Sequence, residues 1–313
     1  TQELPEDPSH LNRSRIVEKA CFSRVNPEKF SNGSLVHINP LLQAEMGLET
    51  LNERELLMLT LGVHPDTEGN TFAMCYGGHQ FGQWAGQLGD GRAINIGQSE
   101  GNGIAYALQI KGAGPTPYSR RADGYAVLRS SIREYLCSEA MHYLGVPTTR
   151  ALSLALSGKK VRRDPMYDGN PIDEKGAIMC RVAPSFIRFG NFQLLAARED
   201  KENLEKLLDY TVKHHFTDVK GNAKQKALGL LKSVADKTRE MIIHWQRVGF
   251  VHGVMNTDNM SIHGITIDYG PYGWLENYDE TWTPNTTDAQ NKRYGFQHQL
   301  KISLWNLLQL ANG

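Results

Sequence analysis

Asn259 and Asp268 are the residues whose types and spacing point most directly to chemistry. Asn259 follows a long predicted helix, and Asp268 follows the short apolar segment "ITI", with Gly270 two residues later. An amide oxygen and a carboxylate are hard oxygen ligands of the kind that Mg²⁺ takes beside nucleotide phosphates. The pattern therefore predicts a site for ATP and Mg²⁺, where Mn²⁺ could replace Mg²⁺. The structural alternative is that Asn259 caps a turn and Asp268 begins one.

The segment around Asn259, "FVHGVMNTDNMSI" at 250–262, is similar to the catalytic loop of kinase-like phosphotransferases. In that loop His-Gly-Asp or His-Arg-Asp is followed by four residues and then Asn, and the Asp accepts the proton of the attacking hydroxyl. Here His252 is present, and we interpret it as a residue that structures the loop. Val254 stands in place of the Asp, so the usual base is missing, and Asp258 is a new carboxylate beside Asn259.

Lys111 and Glu134 form a second candidate pair. Lys111 ends the apolar stretch "AYALQIK", and Glu134 lies in the next predicted helix. A strand lysine oriented by a helix glutamate is how kinases place a cation on nucleotide phosphates. Taken alone, each residue type is common in its position. The presence of Asn259 and Asp268 in the same chain is what favours a role in nucleotide binding for the pair.

Glycines and arginines supply further candidates for phosphate binding. Gly89 and Gly91, beside Arg92, would let backbone N–H groups approach phosphates. Arginines suit bidentate phosphate contacts, although a solvated surface is the commoner explanation for them. The remaining candidates occur in "SRRADG" and "CRVAPSFIRFG": Arg120, Arg121, Asp123, Gly124, Arg181 and Arg188.

The order of elements predicts an α+β, two-lobed, protein-kinase-like fold with an N-terminal extension. Helix 126–145 should bury a stripe that recurs every four residues from Leu128 through Ile132 and Leu136. We divide the chain into an extension at 1–65, an N-lobe at 66–190 and a mainly helical C-lobe at 191–313. The other expected elements are helices at 41–48, 52–60, 223–248 and 300–311, and strands at 93–97, 105–111, 150–156, 177–183 and 265–267.

Composition argues against several classes of partner. Lys plus Arg and Asp plus Glu both number 34, so no global charge favours nucleic acid. Four scattered cysteines form no CxxC pair, and we expect reduced thiols. No stretch reaches the ~20 apolar residues of a membrane span, and the first residues have no features of a targeting peptide.

Several long motifs together resemble the selenoprotein O family. They are "YGGHQFGQWAGQLGDGR", "KGAGPTPYSRRADGYAVLRSSIREYL", "SEAMHYLGVPTTRALSL", "RVAPSFIRFGNF" and "GFVHGVMNTDNMSIHGITIDYGPYG", all between about 76 and 274. The resemblance implies a pseudokinase that binds ATP in a flipped orientation and transfers AMP to hydroxyls of protein substrates.

The resemblance also implies roles for individual residues. Asp258 would be the proton acceptor, Asn259 and Asp268 would bind magnesium, and Glu134 would pair with Lys111. The nucleotide would be bound by Gly89, Gly91, Arg92, Lys111, Asp123, Gly124, Arg181, Arg188 and Asp268. If the nucleotide is reversed, the α-phosphate faces the acceptor hydroxyl, and Asp258 can serve as the base without a carboxylate at Val254.

Two alternatives remain open at this stage. One is a phosphotransferase that uses the γ-phosphate, which Val254 disfavours, and the other is a non-catalytic ATP-binding scaffold, which the retention of Lys111, Asn259 and Asp268 disfavours. Family members are usually longer, and many end near a Cys or selenocysteine, whereas this chain ends in "LLQLANG". The compartment would be the cytoplasm in a bacterium and the mitochondrion in a eukaryote.

Overall fold

A computed structural model describes residues 3–166 and 168–313 of the chain. Within them the fold is α+β, with most strands before residue 184 and most helices after it. The strands are β1 (Phe22–Arg24), β2 (Ser34–Ile38), β3 (Phe72–Met74), β4 (Gly77–Gln80), β5 (Gln83–Gln87), β6 (Ala93–Gly101), β7 (Ile104–Lys111), β8 (Ala126–Val127), β9 (Arg150–Arg163), β10 (Ile172–Ala183), β11 (Phe250–Val251) and β12 (Gly273–Trp274). The helices are α1 (Pro40–Glu45), α2 (Glu53–Leu61), α3 (Leu128–Tyr143), α4 (Phe189–Ala197), α5 (Lys201–His215), α6 (Ala223–Val248) and α7 (His298–Ala311).

The main sheet is antiparallel and has the strand order β1-β3-β6-β7-β10-β9-β2, with β8 paired to β10. Strands β1 and β2 are its two ends, so residues from the predicted extension complete the sheet. The division of the chain at 65 and 190 stays a prediction. Strand β10 is buried continuously from Gly176 to Ala183, which is typical of a strand that is covered on both faces.

All predicted helices and strands except strand 265–267 are confirmed, most of them with changed ends. Helix α6 has the predicted bounds; a capping box between Asn222 and Gln225 begins it, and Gly249 ends it with a φ of 69°. Strands β9 and β10 extend beyond the predicted 150–156 and 177–183, because they pair along a long hairpin. Among the described residues, no helix is long and apolar enough to cross a membrane.

Helix α3 buries a different face from the one expected. The predicted stripe is largely exposed, with Leu136 at 61% and Ile132 at 36%. The buried side chains of the helix instead include Glu134, Tyr135, Cys137 and Met141. The prediction of the buried stripe was wrong because it assumed that charged residues stay exposed. A carboxylate can be buried when it is paired, and Glu134 is paired with Lys111 of strand β7.

Residues 265–267 do not form the predicted strand. Only Thr266 makes an isolated parallel bridge, to Thr148, in which its N–H and carbonyl bond to residues 147 and 149. Asp268 then adopts a φ of 57°, which ends the extended conformation. A single bridge therefore joins this segment to the entrance of β9, and the chain turns immediately at the predicted functional residue.

Candidate active site

Asp268 lies at the centre of a buried group of charges. Its Oδ1 is 2.7 Å from Arg181 Nη1 and 3.6 Å from Lys111 Nζ, and its Oδ2 accepts a hydrogen bond from Arg188 Nη1. Burial alone would raise the pKa of Asp268, but the charges of Arg188, Arg181 and Lys111 outweigh it and hold that pKa well below its ordinary value. Asp268 is therefore ionised whenever these cations surround it.

Lys111 and Glu134 form the ion pair that their spacing predicts. Lys111 Nζ is 2.5 Å from Glu134 Oε2, and Glu134 Oε1 accepts from Arg181 Nη1 at 3.0 Å. Burial lowers the pKa of Lys111, and Glu134 acts in the opposite direction. This ion pair joins a lysine on a strand to a glutamate on a helix, and a mainly helical second half follows in the chain. That is the kinase-like arrangement predicted for this α+β chain.

Arg181 and Arg188 are fully enclosed, with side chains 1% and 3% exposed. Arg181 Nε donates a hydrogen bond to Gln109 Oε1 at 2.8 Å. The guanidinium of Arg188 stacks 4.7 Å from the ring centroid of Tyr76. We call Lys111, Arg181 and Arg188 the cation cluster. The two arginines are buried and Lys111 is partly buried, and three cations that converge in this way are suited to a polyanion.

Asp90 is a member of this site that the sequence analysis missed. It lies between Gly89 and Gly91, is almost fully buried, and is 3.8 Å from Arg188. Its Oδ2 accepts hydrogen bonds from Met74 N at 2.9 Å and from the side chains of Asn95 and Gln109. Burial raises the pKa of Asp90, and Arg188 opposes that shift. An acid between two glycines in "LGDGR" is the signal that could have drawn attention to it.

Gly89 gives room to the ring of Tyr118, and Gly91 to the backbone of the same residue. Gly89 has a φ of 92°, and a Cβ there would lie 2.5 Å from the ring of Tyr118, whereas one at Gly91 would lie 2.9 Å from the Tyr118 carbonyl. The turn is thus packed against the loop 112–125. Arg92 follows on the exposed side, and its charge contributes to lowering the pKa of Lys111.

Asp123 and Gly124 lie on that loop but outside the charge cluster. Asp123 makes a two-pronged ion pair with Arg163, at 2.7 and 2.8 Å, on an exposed surface. Gly124 has a φ of 77°, and a Cβ there would lie 2.2 Å from the carbonyl oxygen of Gly114. Within the described part of the chain, Asp123 has no hydrogen bond or ion pair to the cation cluster.

Asp258 and Asn259 lie on a 3-10 turn, Thr257–Asn259, next to the cluster. The backbone carbonyl of Asp258 accepts from Arg188 Nη1 at 2.7 Å, and the same nitrogen donates to Asp268. One guanidinium thus joins the two segments. Asp258 is only 8% exposed, and burial raises the pKa of its carboxyl to about 6. A carboxylate with this pKa accepts a proton more readily than an exposed one.

Val254 and His252 complete the loop. The ring Nε2 of the buried His252 contacts the carbonyl of Ile267 at 2.8 Å, which joins the loop to the segment before Asp268. Asn259 donates through Nδ2 to the carbonyl of Val254 at 2.9 Å, which leaves its Oδ1 available as a ligand. The position of the usual kinase base holds an apolar side chain, so Asp258 is the carboxylate of this loop.

The oxygen donors Asn259 Oδ1 and Asp268 fit Mg²⁺ in kind. Among the described residues no group of three or more His, Cys, Asp or Glu side chains could hold a metal ion. A site made of one amide and one carboxylate matches a magnesium ion that takes its other ligands from phosphates and water. All four cysteines are free and buried.

Comparison with known proteins gives consistent results. The family model described as "Protein adenylyltransferase SelO" matches residues 9–313. Relatives named "Protein nucleotidyltransferase YdiU" are 62% identical in Flavobacterium johnsoniae, over 100% of this chain and 60% of the relative, and 58% identical in Azoarcus sp., over 99% of this chain and 60% of the relative. The chain spans about 60% of the length of these curated relatives.

A solved structure, "ROP2 from Toxoplasma gondii: A virulence factor with a protein-kinase fold and no enzymatic activity", is also similar. It overlaps 88% of this chain and 79% of its own with a TM-score of 0.37 and 13% identity, an agreement too loose to support an argument. The family model, by contrast, matches nearly the whole chain, and the relative from Flavobacterium johnsoniae is 62% identical to it. This chain belongs to the protein adenylyltransferase SelO family.

Proposed function

We propose that this protein is a nucleotidyltransferase that transfers AMP from ATP to Ser, Thr or Tyr hydroxyls of protein substrates and releases pyrophosphate. The observation that carries the proposal is the position of Asp258. Arg188 ties the backbone of Asp258 to Asp268, so a carboxylate with a raised pKa lies beside the cation cluster, while the usual kinase base is Val254. The family membership and the names of the relatives support the same reaction.

In the proposed reaction the acceptor hydroxyl oxygen attacks the α-phosphorus, and the bond from that phosphorus to the bridging oxygen of pyrophosphate breaks. Asp258 accepts the hydroxyl proton. The leaving pyrophosphate carries the new negative charge, which Lys111, Arg181 and Arg188 are placed to stabilise. Arg92, at the exposed edge of the cluster, extends the positive surface toward solvent.

Asn259 and Asp268 would hold Mg²⁺, or Mn²⁺ in its place, which when bound neutralises phosphate charge. In the free protein both carboxylate oxygens of Asp268 are paired with residues of the cation cluster. A triphosphate competes for the same cations, and each cation that turns toward phosphate releases a lone pair of an already ionised carboxylate. Glu134 keeps Lys111 and Arg181 in place during this exchange. The roles of Gly89, Gly91, Asp123 and Gly124 in nucleotide binding remain part of the proposal.

One observation favours nucleotide binding without chemistry. Both carboxylate oxygens of Asp268 accept from arginines, and a site in which they stay bound would take ATP but not a metal. The relatives from Flavobacterium johnsoniae and Azoarcus sp. are bacterial, which supports the cytoplasmic alternative for the compartment.

The test is transfer of label from ATP. The protein is incubated with Mg²⁺ and ATP labelled at the α- or the γ-phosphate, beside an Asp268→Ala control. Protein labelled from the α-phosphate alone, and not in the control, is the expected result. Label from the γ-phosphate would make the protein a kinase. ATP binding with no label from either position would establish the non-catalytic alternative.

A further inference from the structure

The β4–β5 hairpin lies directly on the loop that carries Asp258. His79 N donates to Thr257 Oγ1 at 2.7 Å, and Phe81 N donates to Asn256 Oδ1 at 3.2 Å. These bonds come from the hairpin backbone, so they fix its position whatever side chains it bears. The two segments are about 175 residues apart in the chain, and only the tertiary fold brings them together.

Two residues of strand β4 lie against the two carboxylate oxygens of Asp258. A Cβ on Gly78 would lie 2.8 Å from both Oδ1 and Cβ of Asp258. The backbone of Gly78 is not in the left-handed region, so the glycine is required for space and not for its conformation. Gln80 Nε2 donates to the other carboxylate oxygen, Asp258 Oδ2, at 3.2 Å.

The two oxygens of Asp258 therefore differ. Oδ1 is buried against Gly78 and has no hydrogen-bond partner within the described residues. Oδ2 faces the amide of Gln80, a side chain that is itself partly exposed. Rotation about the terminal torsion of an aspartate is broad, so a directional donor is needed to hold one oxygen in a fixed place.

We propose that Gln80 is the positioning residue for the proton acceptor, an inference that rests on the proposed AMP transfer. Its amide holds the carboxylate plane of Asp258 so that Oδ2 receives the proton of the attacking hydroxyl, while Gly78 seals Oδ1. Gln80 makes no hydrogen bond to Lys111, Arg181 or Arg188 in the described structure, so its part concerns the acceptor and not the binding of ATP.

The test compares Gln80→Met with Gln83→Met, using steady-state transfer of AMP. Methionine keeps the length of the side chain and removes the donor. Gln83 is the cross-strand partner of Gln80 in the same hairpin and is exposed, which makes it a matched control. We expect kcat of Gln80→Met to fall about 10- to 100-fold, because misplacement of a reacting group by ~1 Å costs up to about that factor. The KM for ATP and the thermal midpoint should stay unchanged, and Gln83→Met should behave as the wild type.

A second substitution acts on the other carboxylate oxygen of Asp258, Oδ1. Gly78→Ala should also lower kcat, since its methyl group would displace Asp258, and its thermal midpoint separates this effect from misfolding. A Gln80→Met protein with wild-type kcat, or one whose loss lies only in the KM for ATP, would overturn the inference while leaving AMP transfer intact. A wild-type protein that transfers no α-phosphate label would instead refute the proposed function, and the inference with it.

Discussion

Asp268 and Asp123 are both acids to which the family resemblance assigns the nucleotide, and both pair with arginine, but in opposite surroundings. Asp268 lies among two buried arginines and the partly buried Lys111. Within the described residues the ion-pair partner of Asp123 is Arg163, and the side chains of that pair are 41% and 30% exposed. Solvent screens the second pair and stabilises its partners when they separate. The comparison shows that an identical residue pair can be either the electrostatic centre of a site or an adjustable surface contact.

Removing Asp268 should have the largest effect. Asp268→Ala leaves Arg181 and Arg188 buried without their main counterion, and loss of one partner of a buried pair costs about 3–5 kcal/mol of unfolding free energy. AMP transfer should fall by at least roughly 100-fold. Urea unfolding and the labelling assay measure these two effects.

The matched variant Asp268→Asn keeps the shape and the acceptor oxygen of the side chain, so it should lose most activity with a smaller loss of stability. If Asp268→Ala lost less than about 1 kcal/mol, Asp268 would resemble Asp123, and the contrast between the two regions would be wrong.

The pH dependence of Asp258 should give an intermediate effect. Its folded-state pKa, about 6, lies above the ordinary value of 3.8. The folded state therefore binds the proton more tightly, and the stability from this group is present below the unfolded pKa and is lost as the pH rises through about 6. Activity should change in the opposite direction and increase through the same range, because the base acts when ionised.

Asp258→Asn is the control for both pH profiles. It should remove this component of the stability profile between pH 4 and pH 6 and lower kcat by roughly 10²- to 10⁴-fold. An unchanged kcat/KM profile in the variant would assign the proton acceptor to another group.

The smallest effect should come from Asp123. Asp123→Asn should change the unfolding free energy by no more than about 1 kcal/mol, as for other exposed ion pairs. If the carboxylate of Asp123 leaves Arg163 to bind the nucleotide in the wild type, its loss in Asp123→Asn should raise the KM for ATP by a few-fold, the amount that one exposed hydrogen bond provides. Arg163→Gln, measured in parallel, should not raise the KM; an equal rise in both variants would show that the pair acts through the loop and not through the nucleotide.

Much of the candidate site could be predicted from local sequence. The pair of Lys111 and Glu134 follows from a strand that precedes a helix, and the bounds of helix α6 follow from its caps and its amphipathic pattern. Which face of helix α3 is buried could not be predicted, because the burial of Glu134 depends on Lys111, a cation on another element. Asp90 was missed for the same reason, since its partner Arg188 is 98 residues away.

The sequence by itself determined the α+β order of elements, the loss of the usual base at Val254 and the presence of carboxylates at 258 and 268, because these depend on residue type and short spacing. Only the tertiary structure decided which charges are buried together. It placed Arg181 and Arg188 around Asp268, left Asp123 at the surface and laid Gln80 on Asp258. The physical reason is that burial and electrostatic pairing depend on distances through space, and contacts between distant segments are not encoded in any local pattern.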